Sequence, residues 1–358
     1  MRETLEYRHP SRHREYGHFH PPICASLRRG GSTLLIFLLL QALPAAAGTP
    51  RRSDESPATG YVSEIDEASA RGQVVRVSPE DLEIFGRFAL SPNESLLVFS
   101  ARPSRAKRNI PYELYRITTY DNSAPVRLTS GSESHCLYPA FNGNGTRIIF
   151  YSGGVPWMMN ASGGGARTRL SNSGTVIDCC GAVSSDNVMA FNSVEMRPTS
   201  NSRSISTARY ASVKMLIWSV SLDGMALTQY REGSFPQWAP AGDRIAFDHN
   251  EDLWLMNRDG TGLVQLTQTQ KITEGLASFS RDGRYVLYTS DEGSRNRYSA
   301  DFNIWAVRVD GTGKQQITSL NSWDSWPVDS QRGVYFLSGR GAGKDKVARI
   351  WRIGWSPQ

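Results

Sequence analysis

The sequence predicts an all-β protein, a six-bladed β-propeller of four-stranded antiparallel blades, on three recurrent observations. An aromatic residue closes one short strand at Phe99, Phe150, Phe191, Phe247, Tyr288 and Phe336. A second aromatic sits inside the next strand, at Tyr115, Trp157, Trp218, Trp254, Trp305 and Trp351. An apolar–hydroxyl pair follows at Leu128-Thr129, Leu170-Ser171, Leu227-Thr228, Leu266-Thr267 and Ile317-Thr318. Marks that return in fixed order signal an internal repeat, and radial repetition of four-stranded sheets is a propeller.

Each unit of about 40–55 residues codes four strands, A to D. The stretch FPQWAPAGDRIAFDHNEDLWLMNRDGTGLVQLT, Phe235 to Thr267, shows the grammar. An aromatic–Pro start leads to a tight APAGD turn, strand B is RIAF, and strand C is DLWLMN. Asp259-Gly260 then makes the C–D hairpin, as Asp223-Gly224 and Asp310-Gly311 do elsewhere, because Asp-Gly tolerates positive φ. Strands such as LWLM are apolar on both faces, as small sheets packed between two neighbours require.

The sixth unit stops after strand C, at RIWRIGWSPQ, without its third mark. Upstream of the first blade stands QVVRVS, Gln73 to Ser78, whose Arg76-Val77-Ser78 matches Arg127-Leu128-Thr129 and Arg169-Leu170-Ser171. This segment is expected to complete blade 6 and remove an unpaired edge. The alternative is a stray strand in a linker.

The chain has 358 residues and is 39% hydrophobic, enough for a folded domain with a sizeable core. Residues 1–47 read as a signal peptide with a long leading segment. Arg28-Arg29 precede the apolar run STLLIFLLLQALPAAAG, which ends in small residues. The run is short and interrupted for a membrane span; a retained anchor is the alternative. Residues 48–70 read as a flexible polar linker, and residues 71–358 as the propeller. Export follows, so the expected location is extracytoplasmic. Without the leader's six Arg and three acids the net charge of +6 falls to +3, and the basic balance does not argue for specific nucleic-acid binding.

SPNESLLVFS, FPQWAPAGDRIAF and FSRDGRYVLYTSDEG, with LWLMNRDGTGLVQLT and IWAVRVDGTGKQQIT, resemble the repeats of TolB-like propellers, also called WD40-like or PD40 repeats. The resemblance covers roughly residues 73–358 and is closest in blades 4 and 5. It implies an interaction scaffold of the cell envelope or secretory pathway, holding a peptide or lipoprotein segment in the channel mouth. The α/β domain that precedes the propeller in TolB does not fit within the linker.

In an A–B–C–D blade the B–C and D–A loops share one face. The two aromatic marks are seven residues apart in blades 2 and 4, but 16, 27, 17 and 15 apart in blades 1, 3, 5 and 6. The long B–C insertions therefore all rise from that face, where loops carry function. They are mostly basic: Arg102, Arg105, Lys107 and Arg108 in blade 1, Arg197 and Arg203 in blade 3, Arg340, Lys344 and Lys346 in blade 6. Such charges would steer an acidic protein or peptide partner, a lipid headgroup, or a polyanion or glycan; solvation of loop tips is the bland reading. Glu133, His135, Asp178, Glu232, Glu274 and Asp324 fall at the D–A side, where they would line the channel mouth.

Cys136, Cys179 and Cys180 lie in D–A loops entering neighbouring blades. A bridge from Cys136 to one of the pair, an adjacent Cys179–Cys180 bridge, or buried free thiols are all open. His135 with these cysteines lacks the spacing of a zinc site, so no metal or cofactor is expected. The three N-x-[ST] sequons, at Asn93, Asn144 and Asn160, fall on the opposite face. No G-x-S-x-G elbow is present, and only His135 and His249 remain after the leader. The expectation is a non-catalytic monomer, soluble once the leader is removed. A carbohydrate-active or peptidase-related enzyme using mouth carboxylates is the alternative.

Overall fold

The computed structural model describes residues 25–29, 32–36, 65–69 and 72–356, apart from 108, 122, 133, 171–176, 199–209, 224–226, 295–300, 320–321 and 341–346. All regular structure among them is β-strand. Ala25–Arg29 and Ser32–Ile36 pair as a separate ribbon. The rest forms six antiparallel sheets in a ring.

Blade 1 comprises Leu82–Leu90, Leu96–Pro103, Glu113–Thr118 and Val126–Arg127. Blade 2 comprises Cys136–Phe141, Arg147–Ser152, Val155–Asn160 and Thr168–Arg169. In blade 3, Ile177–Val183 and Leu227–Glu232 flank a long hairpin, Val188–Pro198 with Tyr210–Ser221. Blade 4 is Ser234–Trp238, Arg244–His249, Asp252–Asn257 and Val264–Gln265. Blade 5 is Glu274–Phe279, Tyr285–Ser290, Asn303–Arg308 and Gln315–Gln316. Blade 6 begins with Asp324–Ser330, Gly333–Ser338 and Arg349–Ile353.

The repeated marks acquire a physical meaning in the register. The strand-B and strand-C aromatics are direct cross-strand partners in every blade: Phe99↔Tyr115, Phe150↔Trp157, Phe191↔Trp218, Phe247↔Trp254, Tyr288↔Trp305 and Phe336↔Trp351. Facing aromatics are among the cross-strand pairs that stabilise sheets. The hydroxyl of the third mark accepts a hydrogen bond from the strand-C amide just before the aromatic. Thr129 Oγ1 takes it from Leu114 N at 2.9 Å, Thr267 from Leu253 at 3.0 Å, and Thr318 from Ile304 at 2.9 Å. It thereby satisfies a backbone donor that the short strand D no longer reaches.

The N-terminal segment reproduces this arrangement in blade 6. Gly72–Arg76 pairs with strand C, with Trp351↔Arg76 and Ile353↔Val74 in register. Val77 N donates to Ile350 O at 2.8 Å, and Ile350 N donates to Ser78 Oγ at 2.9 Å. Val77-Ser78 is thus the missing third mark. Ile65–Ser69, within the segment expected to be a linker, adds a fifth strand outside Gly72–Arg76.

Candidate binding face and axis

The D–A ends of the six innermost strands meet around the axis, and each of these strands carries a bulge. Four bulges place a large residue in the left-handed region: Tyr138 at φ 53°, Phe235 at 52°, Leu276 at 54° and Trp326 at 55°. Non-glycine residues adopt this conformation rarely and at a cost. The return is packing. Tyr138, Phe235 and Trp326 are buried in one cluster with Leu276 against it, although they come from four different blades. The Phe235 and Trp326 rings lie edge to face at 5.4 Å between centroids, and Tyr138 is 6.1 Å from Trp326.

Blade 1 has Gly86 at the equivalent bulge, at φ 65°, and a Cβ there would lie 2.9 Å from the Tyr138 ring. Its neighbour Arg87 crosses the axis, donating to Gly181 O and to Gln237 Oε1, both at 2.8 Å. Side chains of blades 1, 2, 4, 5 and 6 therefore meet at the axis. In the sequence the aromatic–Pro pair marks the start of a blade. Tyr138-Pro139, Phe235-Pro236 and Trp326-Pro327 share it, and a following proline disfavours the right-handed helical conformation.

The residue after the strand-B aromatic holds the next bulge in place. Asn192 Oδ1 accepts from Phe235 N at 3.3 Å, and Asp248 Oδ2 accepts from Leu276 N at 2.8 Å. Burial pushes the Asp248 carboxyl up to about 8, against the opposing effect of the Leu276 and Ala277 amides. Its folded value lies above the unfolded one, so the folded state holds a proton that the unfolded chain has lost. That contribution is full below pH of about 4 and falls away as pH rises towards about 8. Asp248→Asn keeps the acceptor and removes the ionisation. Between pH 5 and 9 the wild type should lose about 1–3 kcal/mol more stability than the variant, measured by denaturant unfolding at both pH values. Parallel losses would overturn this role.

The mouth carboxylates are drawn into the structure. Asp324 is fully buried and paired with Arg340. Glu274, only 1% exposed, accepts from Lys314 Nζ at 3.1 Å, and Lys314 also binds Glu292. Burial raises the pKa of both acids despite their cations. Glu232 pairs near the surface with Lys214, which holds its carboxyl below the usual range. These three acids sit in separate ion pairs. Asp178 pairs through its backbone with Ser193; its side chain, like Glu133, lies outside the described residues.

The basic residues divide in the same way. Arg102 is buried, with Nε 2.9 Å from Glu83 Oε2 and its guanidinium 4.6 Å over the Tyr112 ring. Arg340 is spent on Asp324, whereas Arg105 and Lys107 are exposed. Arg108, Arg203, Lys344, Lys346 and the Arg197 side chain lie outside the described residues. His135 Nδ1 accepts the Tyr112 amide at 3.0 Å, so its neutral ring carries the proton on Nε2. Burial, then Arg102, lowers its pKa.

Cys136 is a free, buried thiol, 3.3 Å from Ser132 Oγ, and burial pushes its pKa up. It makes no bridge here, and the side chains of Cys179 and Cys180 lie outside those described. The A–B turns of the opposite face use Asn93 and Asn144 as braces, accepting from the Ser95 and Thr146 amides, each at 3.1 Å. Among the described residues no cluster of His, Cys, Asp and Glu could hold a metal ion, and no helix is long and apolar enough to cross a membrane.

No family model matches the chain. A curated relative, an uncharacterised protein of Agrobacterium fabrum, is 29% identical over 107 residues, 28% of this chain and 34% of its own length. The match thus spans about a third of that relative. Among solved structures, a gluconolactonase of Xanthomonas campestris matches at 12% identity over 86% of this chain and 99% of its own, with a TM-score of 0.55. An oligogalacturonate lyase of Vibrio parahaemolyticus matches at 10% identity over 84% and 98%, with a TM-score of 0.53. A protein of Agrobacterium tumefaciens described as a TolB matches at 18% identity over 60% and 73%, with a TM-score of 0.48. The first two likenesses are likenesses of fold.

Proposed function

We infer that this six-bladed propeller with TolB-like repeats is an exported, non-catalytic binding module that takes a protein or peptide partner on its B–C/D–A face. The observation that carries the reading is the division among the charged residues of that face. Three of its acids, Glu232, Glu274 and Asp324, are occupied by lysine and arginine partners, while Arg105 and Lys107 are exposed on the blade 1 insertion. Exposed positive charge beside neutralised carboxylates attracts an acidic surface. The side chains packed together at the axis support docking on that face. The ion-paired state of Glu274 and Asp324 favours binding over hydrolysis, which needs a carboxylate free to reach substrate.

The test is capture of partners from a cell-envelope extract by the wild type and by a variant carrying Arg105→Glu, Lys107→Glu and Arg108→Glu. The charge-reversed variant should retain less than a tenth of the captured material and fold normally. Equal capture would remove the basic face from the reading. Turnover of a glycan or peptide substrate that disappears in Glu232→Gln would replace binding with catalysis.

A further inference from the structure

Blade 3 differs from the other blades at its outer edge. The outermost strands of blades 1, 2, 4 and 5 are each two residues long. That of blade 3, Leu227–Glu232, has six residues. It pairs on one side with strand C, from Val220↔Leu227 to Leu216↔Glu232, with a register shift confined to its upper end. Its other side meets no strand among the described residues.

Blade 6 also has a longer outermost strand, Gly72–Arg76, and there the chain covers the edge itself. Ile65–Ser69 lies antiparallel across it, with Ile65↔Val75, Asp66↔Val74 and Ser69↔Gly72 in register. Among the described residues the ring thus has two long outer edges, one covered by a further strand and one not. Natural edges are blunted by brevity, proline, charged side chains, bulges or a covering strand. Four blades use brevity, whereas the blade 3 edge reads Leu-Thr-Gln-Tyr-Arg-Glu, with its bulge and charges confined to the Arg231-Glu232 end and residues 227–229 carrying neither. Leu227 is 63% exposed, and Thr228 and Gln229 are exposed beside it.

We propose that the Leu227–Glu232 edge is a strand-addition site for an extended acidic peptide segment. The backbone defines the shape of the occupant, because a row of unpaired peptide groups is completed only by another strand. Charge defines its composition. The segment that covers blade 6 carries Asp66 and Glu67. The open edge carries Arg231, whose guanidinium lies 5.8 Å and 5.9 Å over the Phe247 and Trp254 rings. Arg231 Nε is buried without a hydrogen-bond partner among the described residues. Lys214 stands at the same end, on Glu232. Main-chain bonds supply the affinity at such an edge, and an acidic side chain reaching Arg231 supplies the preference.

The probe is a fluorescein-labelled peptide of residues 63–70, SEIDEASA, titrated into the full-length protein, in which blade 6 is already covered by its own copy. Saturable binding is expected, with slowed amide exchange at residues 227–232. A peptide with proline in place of Asp66 and Ala68 should bind at least tenfold more weakly, a comparison that leaves the protein untouched. Gln229→Pro should weaken the intact peptide by a similar factor, and reversal of Arg105 and Lys107 should leave it unchanged, separating this site from the basic face. No saturable binding, equal binding of the proline peptide, or protection confined to residues 65–76 would overturn the proposal.

Discussion

Trp326→Ala will lower the free energy of unfolding by about 3–5 kcal/mol, the cost of removing a large aromatic from a packed interior. Trp326 is 8% exposed and is the common neighbour of Tyr138 and Phe235 at the axis. No neighbouring strand can close the hole, because the six innermost strands are held apart by their own blades. The denaturant midpoint should fall with little change in slope. The backbone adds a second signature. At φ 55° an alanine is strained where glycine is not, so Trp326→Gly should be at least as stable as Trp326→Ala, against the usual ranking of these residues in strands. A loss below about 1 kcal/mol would remove the axial cluster from the account of stability.

A chain beginning at residue 79 should fail to close. Val74 and Val77 are 0% and 5% exposed in the ring, and the burial of each contributes about 1.5–3 kcal/mol. The truncation also exposes the Arg349–Ile353 edge and takes the Ser78 hydroxyl from the Ile350 amide. A fall in Tm of about 10 °C or more is expected, with association visible by gel filtration as the free edge finds partners. A chain beginning at residue 71 removes Ile65–Ser69 but keeps Gly72–Arg76, and its Tm should change by only a few degrees, about 2–4 °C per kcal/mol lost. Equal Tm values for full-length and residue-79 chains would show that the ring does not depend on the N-terminal strand.

The blades were legible because what makes them is local. Phe247 and Trp254 face each other across a hairpin of a few residues, and Thr267 reaches Leu253 within the same unit. Repetition made the pattern visible, and the match of Arg76-Val77-Ser78 to the third mark placed the N-terminal strand in the final sheet. The axial cluster was not legible, because Tyr138 and Trp326 meet only after the ring closes. The aromatic–Pro pairs were its one trace. The charged residues failed for a related reason. Position in a loop gave Asp324 and Arg340 the same face, but not that they would be buried on each other. Burial of a carboxylate depends on whether a cation from another loop can reach it, and loop conformation is the part of a chain that pattern constrains least.

Arg87 and the residues it meets alter how the whole ring should come apart. A circle of repeats joined only to neighbours behaves as a one-dimensional array and can lose units singly from any break. Bonds from blade 1 to blades 3 and 4, together with the aromatic hub, tie units across the diameter. The circle becomes a wheel, in which loosening one segment slackens the grip on those opposite. Unfolding should then be all-or-none, with tryptophan fluorescence and far-UV circular dichroism tracing one coincident transition.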